Sequence, residues 1–156
     1  MKRFISSSAL ALVVLVFGAS SALAQSGHFV GTPTCRDIGT QVQCTGKVAG
    51  LGGTTFEITV EATGTATVEC TNPGGNVAPG QDTTVSVGGT TTPLPTPRNG
   101  QFRFGVTSDD PEPLPATPTC PNNQWTPDIV DVTFTTATIT LLEGGEESDS
   151  ITVPVS

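Results

Sequence analysis

The sequence predicts an all-β fold, an immunoglobulin-like antiparallel β-sandwich of about seven to nine strands stapled by disulfides. Three observations lead there. Apolar residues recur at every second position over much of the chain, the period of half-buried strands. No segment carries helical periodicity over an ordinary helix length. Four cysteines, Cys35, Cys44, Cys70 and Cys120, form an even set suited to two bridges. A barrel is the alternative architecture for the same pattern.

The chain opens with a different kind of segment. Lys2 and Arg3 precede an apolar run over residues 9–17, and Ala22-Leu23-Ala24 supplies a small-x-small cleavage pattern. The apolar run is short of the ~20 residues that span a bilayer. Residues 1–24 therefore read as an export signal, and residues 25–156 as a single sandwich domain beginning at Gln25. The reading implies a secreted or cell-surface location, with no membrane insertion once the signal is cleaved.

Strands follow in order. Val42, Cys44 and Val48 alternate with polar positions, and Phe56, Ile58, Val60 and Ala62 place every second residue on one face. The same parity resumes at Ala66, Val68 and Cys70 after Gly64, which marks a bend or bulge. Val85 with Val87, and Phe102, Phe104 and Val106, predict two shorter strands. Val130, Val132 and Phe134 share one parity, whereas Ala137, Ile139 and Leu141 share the other. A bulge or a switch of sheet is thus required near Thr135-Thr136. Ile151, Val153 and Val155 form the last strand, reached through an acidic loop over residues 143–150. Proline and glycine punctuate the gaps, notably at 72–81, 93–97 and 111–121.

The hairpin between the first two cysteines fixes their pairing. A two-residue loop at Gly39-Thr40 sets Ile38 opposite Gln41, and the same register sets Cys35 opposite Cys44. Glycine at the first loop position suits a type II′ turn. A non-hydrogen-bonded antiparallel pair brings the β-carbons close enough to bridge. Cys70 is left with Cys120.

Charge narrows the partners. Of the six basic residues, Lys2 and Arg3 fall in the signal. Arg36, Lys47, Arg98 and Arg103 then face 14 acidic residues, a net charge of 4 − 14 = −10. Such a surface repels phosphate backbones and anionic headgroups, which argues against nucleic acid.

Catalytic machinery is poorly represented. His28 is the only histidine and sits near the expected mature terminus, where a general base is badly held. Glu57 and Glu61 share a strand face but lie about 13 Å apart along an extended strand, beyond glycosidase spacing. No CxxC motif occurs, so no metal site and no cofactor is expected. Acidic clusters at Asp109-Asp110-Pro111-Glu112, at Asp128 with Asp131, and from Glu143 through Asp149 offer oxygen ligands for calcium, without EF-hand spacing. Solvated, charge-repelling loops are the more ordinary reading of them. Thr63, Thr65 and Thr67, and Thr136, Thr138 and Thr140, each put three hydroxyls on a strand face, as ice-binding arrays do. Threonine is also simply a favoured solvent-side strand residue. Leu114-Pro115-Ala116-Thr117-Pro118 lacks the glycine of a sortase signal, and no N-glycosylation sequon occurs.

Three segments carry a resemblance: Cys44-Thr45-Gly46-Lys47-Val48-Ala49-Gly50-Leu51, Cys70-Thr71-Asn72-Pro73-Gly74-Gly75 and Cys120-Pro121-Asn122-Asn123-Gln124-Trp125. Together they resemble a family of small secreted bacterial proteins of the actinomycete type. The resemblance implies a bacterial exported chain with disulfides, and brings no catalytic residues with it.

A Cys70–Cys120 bridge tethers two Pro-rich loops, giving a candidate recognition surface of Trp125, Asn72, Asn76, Asn122 and Asn123. The competing reading is a structural staple beside a core tryptophan, the more ordinary fate of an aromatic. The expected function is therefore contact with an extracellular protein, glycan or surface component, without catalysis. Two alternatives stand beside it. One is a subunit of a surface layer or fibre, self-assembling through edge strands around residues 29–30 and 151–155. The other is a secreted carboxylate-dependent enzyme.

Overall fold

Inward-facing side chains at alternate positions build two antiparallel sheets in the computed structural model, which describes residues 26–156. The export signal read in residues 1–24 lies outside the described residues. Strands hold 60% of the described chain and helix 3%, so the class is all-β.

In the first sheet, β3 (Val42–Ala49) is central. Along one side run β1 (His28–Phe29) and β2 (Thr34–Asp37) end to end, and along the other runs β8 (Phe102–Thr107). The second sheet is built on β4 (Thr55–Thr71) and β9 (Thr126–Glu143), paired along their whole lengths. The outer side of β4 takes β7 (Leu94–Pro95), β6 (Thr83–Thr90) and β5 (Val77–Pro79) in succession, and β9 takes β10 (Glu146–Pro154). Ten segments thus fill seven strand positions. The first, second and fifth positions make one sheet; the fourth, third, sixth and seventh make the other. An immunoglobulin constant domain has the same order except for its fourth strand, which there pairs with the fifth. The two sheets do not close into a barrel.

Residues 116–119 make one tight turn, closed by Cys120 N–H donating to the Ala116 carbonyl, with Thr117 extended and the Thr117–Pro118 bond cis.

Between the sheets lies one apolar cluster. Phe56, Ile58, Val60, Ile139 and Leu141 of the long strands face Val42, Val48, Phe104 and Val106 of the first sheet. Phe56 meets Phe102 edge-on at 5.1 Å between ring centroids, and Phe29 meets Phe104 at 5.8 Å. The sides of the sandwich are stitched by main-chain bonds. Ser156 N donates to the Cys35 carbonyl and Asp37 N to the Ser156 carbonyl, at 3.1 and 3.0 Å; opposite, Asp109 N donates to the Gly88 carbonyl at 2.8 Å.

The hairpin register behaves as predicted. Ile38 N donates to the Gln41 carbonyl, Gly39 has φ +100, and Cys35 lies opposite Cys44. The two are bonded with Cα atoms 4.1 Å apart, as a directly opposed non-hydrogen-bonded pair requires. Cys44 sits on the second strand, where an antibody domain also has a cysteine, yet it bridges its hairpin neighbour and not the opposite sheet.

The parity change at Thr135-Thr136 is a bulge: Thr63 pairs with Thr136 but Gly64 with Phe134, leaving Thr135 extra. Gly64 is needed opposite it, because a β-carbon there would lie 2.6 Å from Val132 Cγ1 and 2.8 Å from the Thr133 carbonyl oxygen. A second bulge was not foreseen. Thr67 pairs with Asp131 and Val68 with Ile129, so Val130 is extra and faces solvent, 44% exposed. It therefore leaves the inward set of Val132 and Phe134.

The acidic loop expected over 143–150 is also corrected. Gly144 and Gly145, with φ +60 and +87, form a two-residue turn, and β9 and β10 run into it from both sides. Glu143 is consequently the last inward residue of β9 and is completely buried. Its carboxylate accepts N–H bonds from Gly27 (3.0 Å), Gly52 (2.8 Å) and Gly53 (3.3 Å), and the Ser148 hydroxyl at 2.7 Å. Burial pushes its pKa up, but the donors from Gly52, Ser148, Gly27 and Gly53 outweigh burial and hold it below the ordinary value.

Two predictions follow from this packing. Gly64→Ala should lower unfolding free energy by about 2 kcal/mol through overpacking against the bulge, measured by urea denaturation. Glu143→Ala should cost about 3 kcal/mol at neutral pH, since it strands buried N–H donors. Because the folded pKa is depressed, the stability that Glu143 supplies is complete above its ordinary pKa of 4.5 and is lost as pH falls through the lower folded value. Urea titrations from neutral pH to about pH 3 should show that acid loss in the native chain and a shallower one in Glu143→Gln. Identical acid limbs would contradict the assignment.

Candidate functional site

The residues singled out as a recognition surface meet at one pole of the sandwich, where β4 ends. Thr71 pairs with Val77 on one side and Thr126 on the other, so the turn over residues 72–76 and the segment ending at Trp125 emerge side by side. Cys70 and Cys120 are bonded, with Cα atoms 5.8 Å apart, and both are buried. Gln81 N–H donates to the Thr119 carbonyl at 3.0 Å, a second tie between the same loops.

The asparagines shape these loops. Asn72 Oδ1 accepts from the N–H groups of Gly74 and Asn76, each at 2.9 Å, and Gly75 takes φ +80 to close the turn. Asn76 Nδ2 donates back to Asn72 Oδ1 at 3.3 Å. Asn122 Oδ1 accepts Gln124 N–H at 2.9 Å, and Asn123 Oδ1 accepts the Thr117 hydroxyl at 2.7 Å. Trp125 is half-buried and lies outside the apolar cluster between the sheets, which corrects the core-tryptophan reading. Val77, across β4 from Thr126, is 58% exposed. The pole is therefore a rigid, amide-bearing, partly apolar surface.

Some groups capable of bond-making chemistry are engaged elsewhere. His28 is exposed on β1 with Nδ1 2.9 Å from the Ser26 carbonyl oxygen. All four cysteines are bridged. Several carboxylates serve as local acceptors: Asp37 takes the N–H groups of Gly39 and Phe134, Asp110 the Thr40 hydroxyl, and Asp149 the Phe29 N–H. Among the described residues no group of three or more His, Cys, Asp or Glu side chains converges on one point.

The two threonine triads meet at a single pair, Thr63 with Thr136, and run apart from it, with Thr65 opposite Thr133, Thr67 opposite Asp131 and Thr138 opposite Glu61. Thr63 pairs with Thr136, and Thr59 with Thr140, on neighbouring strands; Ser86 and Thr90 of β6 extend the rows on one side, Ser150 and Thr152 of β10 on the other. Their hydroxyls bond to one another: Thr63 to Ser86 at 3.2 Å, Thr138 to Thr152 at 2.8 Å, and Thr140 to Ser150 at 3.2 Å. Cross-strand hydroxyl pairs of this kind stabilise the sheet. Sheet twist also turns successive strands by roughly 20°, which breaks any match to a flat lattice.

Sequence reasoning missed two features. Glu143 was grouped with a solvated acidic loop, although its parity with Ala137, Ile139 and Leu141 already placed it inward. The second is the meeting of Lys47 with Arg103 on adjacent strands, which no local pattern signals. Compared with known proteins, the chain matches no family model, no curated protein and no solved structure.

If the bridge is what fastens this pole, Cys70→Ser with Cys120→Ser should lose about 4 kcal/mol, the chain-entropy value for a loop of this length. Hydrogen exchange should then quicken first at residues 72–76 and 116–125; uniform quickening over both sheets would show that the bridge does not act locally.

Proposed function

We propose that the chain is an exported, non-catalytic β-sandwich that acts by contact, as a binding or structural module of the extracellular space or cell surface. The observation that carries this reading is the disulfide-fastened pole. Its loops are held by internal hydrogen bonds and a bridge, yet they keep Val77 and part of Trp125 outside the core. Preorganised loops with apolar area lose little entropy on binding, which favours a contact role.

The setting fits. Two disulfides suit an oxidising, extracellular-type environment, and no helix among the described residues is long and apolar enough to cross a membrane. Export rests on Lys2, Arg3, the apolar run over 9–17 and Ala22-Leu23-Ala24. A bacterial source of the actinomycete type rests on the three cysteine-headed segments. The partner class is an extracellular protein, glycan or surface component, since a strongly acidic chain disfavours nucleic acid.

Assembly through residues 29–30 and 155 is less favoured, whereas the outer side of β10 at residues 151–154 pairs with no other strand among the described residues. Phe29 N–H is taken by Asp149 and Val30 N–H by the Lys47 carbonyl, while Val155 and Ser156 are bonded within the chain. Strand addition there would have to displace these bonds.

The test is retention on cell envelopes of the producing organism. The purified mature chain should sediment with them, and Trp125→Ala combined with Val77→Ser should reduce retention by at least about tenfold while the melting temperature holds. Equal retention by native chain and variant would place the contact elsewhere.

A further inference from the structure

We propose that the outer face of the first sheet carries a second binding site, a groove between Lys47 and Arg103 that takes one oxyanion borne by a hydroxylated ligand, a sugar acid. Lys47 on β3 and Arg103 on β8 are directly opposite in register. Like charges so placed destabilise a sheet, and neither has an ion-pair partner among the described residues. A shared anion would relieve that repulsion and gain charge-assisted hydrogen bonds from both.

The surroundings specify the rest of the ligand. The groove has a volume of about 440 Å³, and Thr32, Thr34 and Thr45 line it beside the two cations. Thr34 and Thr45 are directly opposite each other, so their hydroxyls sit together next to the charged pair. Hydroxyl donors beside a cation pair match a carboxylate flanked by sugar hydroxyls.

Gly105 lies next to the groove, two residues beyond Arg103 on β8. It faces Thr45, and a β-carbon built on it would touch only Thr45 Cγ2, at 3.8 Å. Packing therefore does not demand glycine at this position, and its φ is not positive. What glycine does is leave the strand bare beside Arg103.

Charge sets the size of the ligand. Three of the four cations beyond the signal, Arg36, Lys47 and Arg103, lie on β2, β3 and β8. Those strands carry one acidic residue, Asp37, whose carboxylate is occupied by Gly39 and Phe134. The remainder of the molecule is strongly acidic and repels a long polyanion that runs beyond the groove. A single or sparse acid group is what this arrangement admits, which favours an acidic sugar unit over an acidic peptide.

The site is separate from the disulfide pole, so each fails or stands without the other. The experiment is an amide NMR titration of the mature, disulfide-bonded chain with sodium glucuronate at constant ionic strength, with sodium acetate and glucose as parallel probes. Saturable shifts are expected at Thr34, Thr45, Lys47, Arg103 and Gly105, with acetate and glucose at least about tenfold weaker. Lys47→Ala and Arg103→Ala should each weaken glucuronate at least about tenfold without lowering the melting temperature, since each removes a repulsion. Thr34→Val with Thr45→Val, which keeps both charges and removes two lining hydroxyls, should weaken glucuronate at least about tenfold, whereas Trp125→Ala should leave the shifts intact. A linear response, acetate equal to glucuronate, or binding undiminished in the Thr34, Thr45 double variant would overturn the proposal.

Discussion

The pairing of β4 with β9 is the constraint on which the other elements depend. Two strands of 17 and 18 residues run side by side from Phe56 opposite Glu143 to Thr71 opposite Thr126. Every other strand of the second sheet bonds to one of them, and their inward residues form the floor on which β3 and β8 pack. Each end of the pair is then tied to distant chain. At one end Glu143 gathers the N–H groups of Gly27, Gly52 and Gly53; at the other Cys70 holds Cys120. The two ties differ in kind. One is a buried charge satisfied by dipoles, sensitive to protons; the other is covalent, sensitive to reductant.

Much of this architecture was legible because a half-buried strand writes its faces into alternate residues. The run from Phe56 to Ala62 fixed which side of β4 faces the core, and the conflict of Ala137, Ile139 and Leu141 with Val132 and Phe134 called for a bulge or a switch of sheet near Thr135-Thr136. The bulge at Val130 was hidden because an apolar residue can satisfy the wrong parity; only the partner register, Thr67 with Asp131 and Val68 with Ile129, exposes it. Gly144-Gly145 was a turn signal obscured by the acidic residues around it. Composition suggested a loop, while the parity of Glu143 pointed inward.

The candidate site was legible only as far as covalent logic reached. Linking Cys70 to Cys120 brought Asn72, Asn76, Asn122, Asn123 and Trp125 to one pole, and there they lie. The role of the asparagines was not visible, because it depends on which N–H groups the turns present to each side-chain oxygen. The apposition of Lys47 and Arg103 was beyond reach for a simpler reason: β3 and β8, the second and fifth strand positions, become neighbours only once the fold is known.

Glu143 also gives the molecule a direction. One of the N–H groups it binds belongs to Gly27, so the described chain enters the sandwich at that end. The loops around Cys70 and Trp125 sit at the far end of β4, roughly 50 Å away along an extended strand of that length. A tether attached ahead of Gly27 would hold the sandwich upright by its foot, with the Asn72 and Trp125 loops as its head. Immobilising the molecule through its first residues therefore leaves those loops facing outward, clear of whatever it stands on.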